Sequence, residues 1–211
     1  MKRTDVLTSG GDAYGMKSAI RSYPAQYVKP WALKDTSPLL IRPILPEDEP
    51  LMVKFHEGLS ERSVYFRYFQ SLHLSRRVAH ERLTRICFND YDREIALVAD
   101  SRNRQTGEHQ ILGVGRLSRL HGANEAEFAI VISDLYQDQG LGTELLARLL
   151  DVGREEKLSR IVAEILPENL AMQSVCKKLG FHLEYSPEER VIRAAIQLSA
   201  QKTEACEVAV P

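Results

Sequence analysis

The sequence predicts one mixed α/β domain, strands and helices in an α+β order, and three observations carry that expectation. The hydrophobic period switches repeatedly between two and 3.6 after residue 38. A length of 211 residues suits a single core. A hydrophobic share of 44% beside a charged share of 27% is the balance of a globular chain and disfavours disorder, collagen and a disulfide scaffold. Lys+Arg total 28 against 29 Asp+Glu, a formal net charge of −1, so no basic field draws the chain to nucleic acid or to an anionic membrane. Cys87, Cys176 and Cys206 form no C-x-x-C pair, which argues against a zinc ribbon or a redox dithiol and fits a reducing compartment. With no signal-peptide core and no apolar run of membrane-spanning length, the expected location is the cytoplasm.

The first strand is the apolar run Leu39-Leu40-Ile41-Arg42-Pro43-Ile44. Pro46-Glu47-Asp48-Glu49 opens a helix, because proline and acids suit a first turn with free N–H groups and a positive dipole end. Leu51, Met52, Phe55 and Leu59 make its buried stripe. Ser60 is placed to cap a second helix, whose Val64, Tyr65, Phe66, Tyr68 and Phe69 are expected to pack in the core. A third helix is expected from Ser75 through Val78, Leu83 and Ile86 to Asn89-Asp90, with Arg77, Arg82 and Arg85 as a solvated face open to an acidic partner. Strands over 94–99, 111–117 and 125–132, separated by polar turns, suit an antiparallel meander. A helix over 140–156 carries Leu141, Leu145, Leu149 and Val152 on one face. A strand over 160–166, a helix over 168–179 ended by Gly180, and strands over 181–185 and 191–198 complete the order, with one strand–helix–strand crossover. Residues 38–199 are thus the expected domain, residues 1–37 a leader and linker without a fold of their own, and residues 200–211 a flexible tail.

Chemistry concentrates where the strand over 125–132 runs through Ser133-Asp134-Leu135-Tyr136-Gln137-Asp138-Gln139-Gly140-Leu141-Gly142-Thr143 into a helix. Gly140 and Gly142 let backbone N–H groups at a helix N-terminus approach an anion such as a diphosphate, although the same glycines also suit a simple turn. Thirty residues on, Pro167-Glu168-Asn169 opens the next helix and Leu179-Gly180-Phe181 closes it. The six histidines show no metal-ligand spacing, so no metal is expected.

These motifs together resemble the GNAT superfamily of acyl-CoA-dependent N-acyltransferases over residues 39–198. The resemblance implies a mostly antiparallel twisted sheet, flanked by helices and splayed at a cofactor cleft, with acetyl-CoA as cosubstrate. It implies that the backbone of Ile130 faces the acetyl carbonyl and that of Ile132 the pantetheine. The diphosphate falls to the amides of Gln137, Asp138, Gln139, Gly140, Leu141, Gly142 and Thr143, and Asn169 contacts the pantetheine side. Ser63-Val64-Tyr65-Phe66-Arg67-Tyr68-Phe69, Ala79-His80-Glu81-Arg82-Leu83 and Asp90-Tyr91-Asp92-Arg93-Glu94 narrow the likeness to the acetyltransferase domain of Pat-type bacterial protein lysine acetyltransferases. Separately, Val6-Leu7-Thr8-Ser9-Gly10-Gly11-Asp12-Ala13 resembles the glycine loop that opens phosphofructokinases. No partner stretch of that fold follows, and the segment is expected to carry no chemistry.

The expected reaction is transfer of an acetyl group from acetyl-CoA to a primary amine, first a protein lysine ε-amino group such as one on an acyl-CoA synthetase. Alternatives are a small-molecule amine as acceptor, or an acyl-CoA-binding module without turnover. A lysine ammonium must lose its proton before it attacks a thioester. Glu127, opposite Phe128 and Ile130 by period two and placed where the family has its base, is the choice, with Glu125 on the same face as rival. Cys176 stands where many relatives have a tyrosine acid, and it falls on the stripe Met172, Val175, Cys176 and Leu179, as a small buried hydrophobe does.

Overall fold

In the computed structural model, which describes residues 22–34, 37–103 and 105–198, strand β3 (Glu94–Arg102) sends Ile95, Leu97 and Ala99 to one face and Ala96 and Val98 to the other. All five are buried, and an apolar run of this kind needs cover on both sides. The other strands are β1 (Lys29–Ala32), β2 (Pro38–Pro43), β4 (His109–Arg119), β5 (Glu125–Ile132), β6 (Arg160–Ile165), β7 (His182–Ser186) and β8 (Val191–Gln197). They form one eight-stranded sheet in the order β1-β2-β3-β4-β5-β6-β8-β7. Every neighbouring pair is antiparallel except β5 and β6, the pair joined by the expected crossover.

Helices α5 (Leu141–Glu155) and α6 (Leu170–Lys178) cover one face, where Leu141, Leu145, Leu146 and Leu149 meet Phe128, Ile130 and Ile161. On the other face lie α1 (Glu49–Glu57), α2 (Glu61–Tyr68), α3 (Leu74–Arg77) and α4 (His80–Cys87). Here Met52, Phe55, Val64 and Leu83 pack on Ala96, Val98, Val114 and Val131. A buried ion cluster fixes the entry to α1. Arg42 donates to both carboxylate oxygens of Asp48 at 2.7 Å and to Asp100 at 3.0 Å. Burial by itself would lower the Arg42 pKa, but the hydrogen bonds and charges of Asp48 and Asp100 hold it above its ordinary value.

Several expectations change. The boundary placed near Ser37-Pro38 falls inside a hairpin, because β1 pairs with β2 from Lys29 opposite Ile41 to Ala32 opposite Pro38, and Tyr27 and Leu33 join the core. Pro30 and a mostly exposed pattern hide this strand from a periodicity reading, and an edge strand tolerates both. The aromatic run of α2 is not core: Tyr65 and Phe69 are each 38% exposed, and only one face of this eight-residue helix, with Ser63 and Val64, is buried. Arg62 stacks over Phe66, and Arg67 and Arg82 stack over Tyr68, so guanidinium groups take the place expected of core contacts. The third helix is two, broken at Val78 and Ala79. That break turns Arg77 inward, where it is buried and donates to the His56 carbonyl at 2.7 Å. The phosphofructokinase-like segment and the tail 200–211 lie outside the described residues.

Candidate active site

β5 and β6 pair only at Glu125, Ala126 and Glu127, opposite Arg160, Ile161 and Val162. Beyond Glu127 they part: residues 128–132 stay on β4, while β6 from Ala163 onward pairs with β8. The Ser133 N–H donates to the Leu112 carbonyl at 2.9 Å. Since hydrogen-bonded positions alternate along an antiparallel ladder, Val131 and Ala129 bond toward β4, and Ile130 and Ile132 turn their N–H and C=O groups into the gap.

From β5 the chain passes through a short 3-10 turn, Asp134–Tyr136, and enters α5 at Gly140. Gly140 has φ +89°, a left-handed conformation that costs glycine nothing. No side chain caps α5, so the amides of its first turn are left without an intrahelical partner at the positive end of a 15-residue helix. A Cβ added at Gly142 would meet only the Ile132 Cγ1 at 3.8 Å. Packing therefore does not require glycine there, and the bare backbone keeps the approach to the amides open. Of the predicted loop, residues 137–143, Gln137 reaches the Ile132 carbonyl and Gly142 lies beside the Ile132 side chain, so the loop adjoins the end of β5, two residues beyond Ile130.

A polar network ties this loop to α2. Asp134 accepts from the Ser60 amide at 2.9 Å, the Ser60 hydroxyl at 2.6 Å and the Ser63 hydroxyl at 2.8 Å. Burial alone would raise the Asp134 pKa; these hydrogen bonds more than offset it, and the carboxyl titrates below its ordinary value. Gln137 donates from Nε2 to the Ser63 hydroxyl at 3.0 Å and to the Ile132 carbonyl at 3.2 Å. From the opposite side, Lys34 Nζ donates to the Asp138 carbonyl at 2.5 Å, and Arg148 on α5 donates to the carbonyls of Lys29 and Pro30 at 3.1 and 3.2 Å. Sequence reasoning singled out none of Ser63, Asp134 or Lys34 as a loop support, because each contact spans about 70 to 120 positions.

Glu127 is exposed and is the last residue of β5 paired with β6, so it stands at the vertex of the gap. Glu125, its rival, is held in an ion pair with Arg160 at 2.8 Å. By strand alternation Glu127 shares a face with Ala129 and Val131, which line a cavity of about 380 Å³ between β4, β5 and helices α1, α2 and α4. Arg67, Arg82, Arg85 and Arg116 line it too, with Glu81 and the buried His56. Burial, and after it the charges of Arg77, Arg82 and Arg67, push the His56 pKa down to about 4. Burial likewise lowers the Arg67 guanidinium, helped by Arg116 and Arg82 and opposed by Tyr68 and Glu127. The solvated face expected for Arg77, Arg82 and Arg85 is thus divided: Arg77 is interior, Arg82 half-buried in the cavity wall, and only Arg85 exposed.

Asn169 caps α6, its Oδ1 accepting from the Met172 amide at 3.2 Å, which leaves the Nδ2 amide protons for another partner. Cys176 is fully buried, and burial pushes its thiol up to about 12, so it packs as a small apolar group. Among the described residues no group of three or more His, Cys, Asp or Glu is placed to hold a metal ion, and no helix is long and apolar enough to cross a membrane.

Compared with known families, residues 38–182 match the acetyltransferase (GNAT) domain. The chain is 28% identical over 158 residues to acetyltransferase PA5475 of Pseudomonas aeruginosa, an alignment covering 75% of this chain and 82% of that protein. It is 29% identical over 147 residues to acetyltransferase Pat of Mycolicibacterium smegmatis, with 66% of this chain aligned but only 40% of the longer relative. Among solved structures, the GNAT domain of S. lividans PAT superposes with a TM-score of 0.73 at 28% identity, covering 84% of this chain and all of that one. Mycobacterium smegmatis RimJ in complex with CoA-disulfide shares the fold, with a TM-score of 0.64 at 18% identity over 83% of this chain and 90% of that one.

Proposed function

The chain belongs to the GNAT family of acetyl-CoA-dependent N-acetyltransferases, and on that premise we propose that it acetylates the ε-amino group of a lysine in a partner protein, an acyl-CoA synthetase first, with Glu127 as general base. The observation that carries the reading is the vertex position of Glu127, on the same strand whose Ile130 and Ile132 main-chain groups face the gap. The likeness to the Pat proteins supports a protein acceptor.

The residues present suit acetyl-CoA. The uncapped first turn of α5 and the bare Gly142 would receive the diphosphate, with amides from Gln137 to Thr143 as donors. Main-chain groups of Ile132 and the free amide of Asn169 would hold the pantetheine arm. Bound there, acetyl-CoA supplies an acetyl group activated as a thioester. A lysine ammonium, with an ordinary pKa of about 10.4, must shed a proton to become a nucleophile, and the Glu127 carboxylate takes it, directly or through a water molecule. The Ile130 N–H would donate to the oxygen on which negative charge develops, and as the amide C–N bond forms the thioester C–S bond breaks, CoA leaving as a thiolate that takes up a proton. Holding amine and acetyl group together in the gap supplies the proximity contribution.

Intact-mass measurement of candidate proteins after incubation with acetyl-CoA tests the acceptor, and Glu127→Gln tests the base. The variant is expected to bind CoA as the unaltered chain does and to turn over about 10²–10⁴-fold more slowly. Unchanged turnover would remove Glu127 from the mechanism. Acetylation of free amines without any protein product would replace the protein acceptor by a small molecule.

A further inference from the structure

The cavity behind Glu127 carries more positive charge than the transfer of an acetyl group needs. Of its arginines, Arg116 is matched by Glu94 at 3.2 Å. Among the described residues, Arg67, Arg82 and Arg85 have no ion pair; Arg67 and Arg82 each stack over Tyr68 with the guanidinium carbon 5.0 Å from its ring centre. The buried Nε of Arg82 has no hydrogen-bond partner among the described residues. A second observation comes from a different element. His56 is 1% exposed, lines the same cavity, and among the described residues leaves both ring nitrogens without a partner. Buried polar groups are ordinarily satisfied, and an unsatisfied one costs roughly 1–3 kcal/mol, so a cluster of them around one cavity marks a place where a ligand completes the bonding. Glu81 is the single carboxylate in the lining and sits on the exposed side of α4.

The geometry points to a carboxylate-reading pocket: the acceptor presents its amine to Glu127 and a carboxylate, a short distance from that amine, to Arg67, Arg82 and Arg85, with a ring N–H of His56 as a further donor. Guanidinium groups suit this ligand because their forked N–H groups match the two oxygens of a carboxylate. On the reading of a protein lysine acceptor, on which this inference rests, the carboxylate belongs to an Asp or Glu flanking the lysine. In a free acceptor it would be the amine's own acid group.

Two pairs of substrates distinguish these sources. The first is a lysine peptide with Glu beside the lysine against the same peptide with Gln; the second is free lysine against cadaverine, which lacks the carboxylate. The expected result is a kcat/KM about tenfold or more higher for the carboxylate member of whichever pair turns over. The same ratio should fall toward one in Arg82→Gln and in Arg85→Glu, the latter at an exposed position where folding is not at stake. A preference confined to free amines would keep the pocket and overturn the protein acceptor. Equal rates within both pairs, or a preference that survives both substitutions, would overturn the pocket, and no product from any amine would overturn pocket and acceptor together.

Discussion

At Gly142 the demands of folding and of ligand binding point in opposite directions. Inside the first turn of a helix glycine is a poor choice, and an aspartate there would interact favourably with the dipole by about 0.3–1 kcal/mol. The space is available, since an added Cβ meets only Ile132 Cγ1 at ordinary contact distance. Gly142→Asp is therefore expected to leave the melting temperature unchanged or raise it by a few degrees. It should weaken CoA binding about tenfold or more, because the carboxylate occupies the anion's position. Calorimetric titration with CoA beside a thermal melt checks both halves, and a variant that melts higher yet binds CoA as before would reduce the glycine loop to a turn.

Between elements, the informative link is Asp134, which receives three hydrogen bonds from the N-terminus of α2 and sits at the start of the glycine loop. Through it the helix that carries Arg67 and Tyr68 is fixed relative to the strand that carries Glu127. Its native pKa lies below the unfolded value, so its contribution to stability is fully present above the ordinary Asp pKa and is lost as pH falls through the lower, native one. Asp134→Asn should lower the melting temperature at neutral pH and shrink the loss of stability on acidification below about pH 4. Melts from pH 7 to pH 3 measure this. If the variant's acid profile runs parallel to that of the parent, the link is not charge-dependent.

For the whole molecule, the N-terminal edge of the sheet decides more than its exposed, proline-containing sequence suggests. Residues 22–34 bury Tyr27 and Leu33 in the main core. They place Trp31 beside Gly140 and hold the Asp138 carbonyl through Lys34. Arg148 ties the same strand to α5. The matched family region begins at residue 38, so this support lies outside it. Removing residues 1–34 is expected to lower the melting temperature by several degrees, through loss of two buried apolar side chains worth roughly 1.5–3 kcal/mol each, and to weaken CoA binding. Removing residues 1–21 should change neither, since no partner stretch of the phosphofructokinase-like fold follows that segment in the sequence. Melting and CoA titration of both truncations decide it; a saturable ATP signal lost with residues 1–21 would show that segment to be a working site.

The glycine loop, its helix and the Glu127 strand were legible in the sequence because each is local. A helix N-terminus is an anion site through consecutive amides, and a period of two assigns Glu127 a face before any neighbour is known. From β3 onward the order of strands and helices, with its one crossover, followed from changes of period for the same reason. Only the tertiary structure decided where β5 leaves β6, since that gap is a relation between strands some 35 residues apart. It also decided the fates of three arginines that read alike: Arg77 found the His56 carbonyl and went inside, Arg82 found the face of Tyr68, and Arg85 stayed in solvent. A guanidinium's position depends on which carbonyl, ring or carboxylate packing brings within reach, and those partners lie on other elements. The sequence thus determined the family and the glycine loop, whereas the shape and charge of the arginine-lined cavity came from packing β4, β5, α1, α2 and α4 around one space.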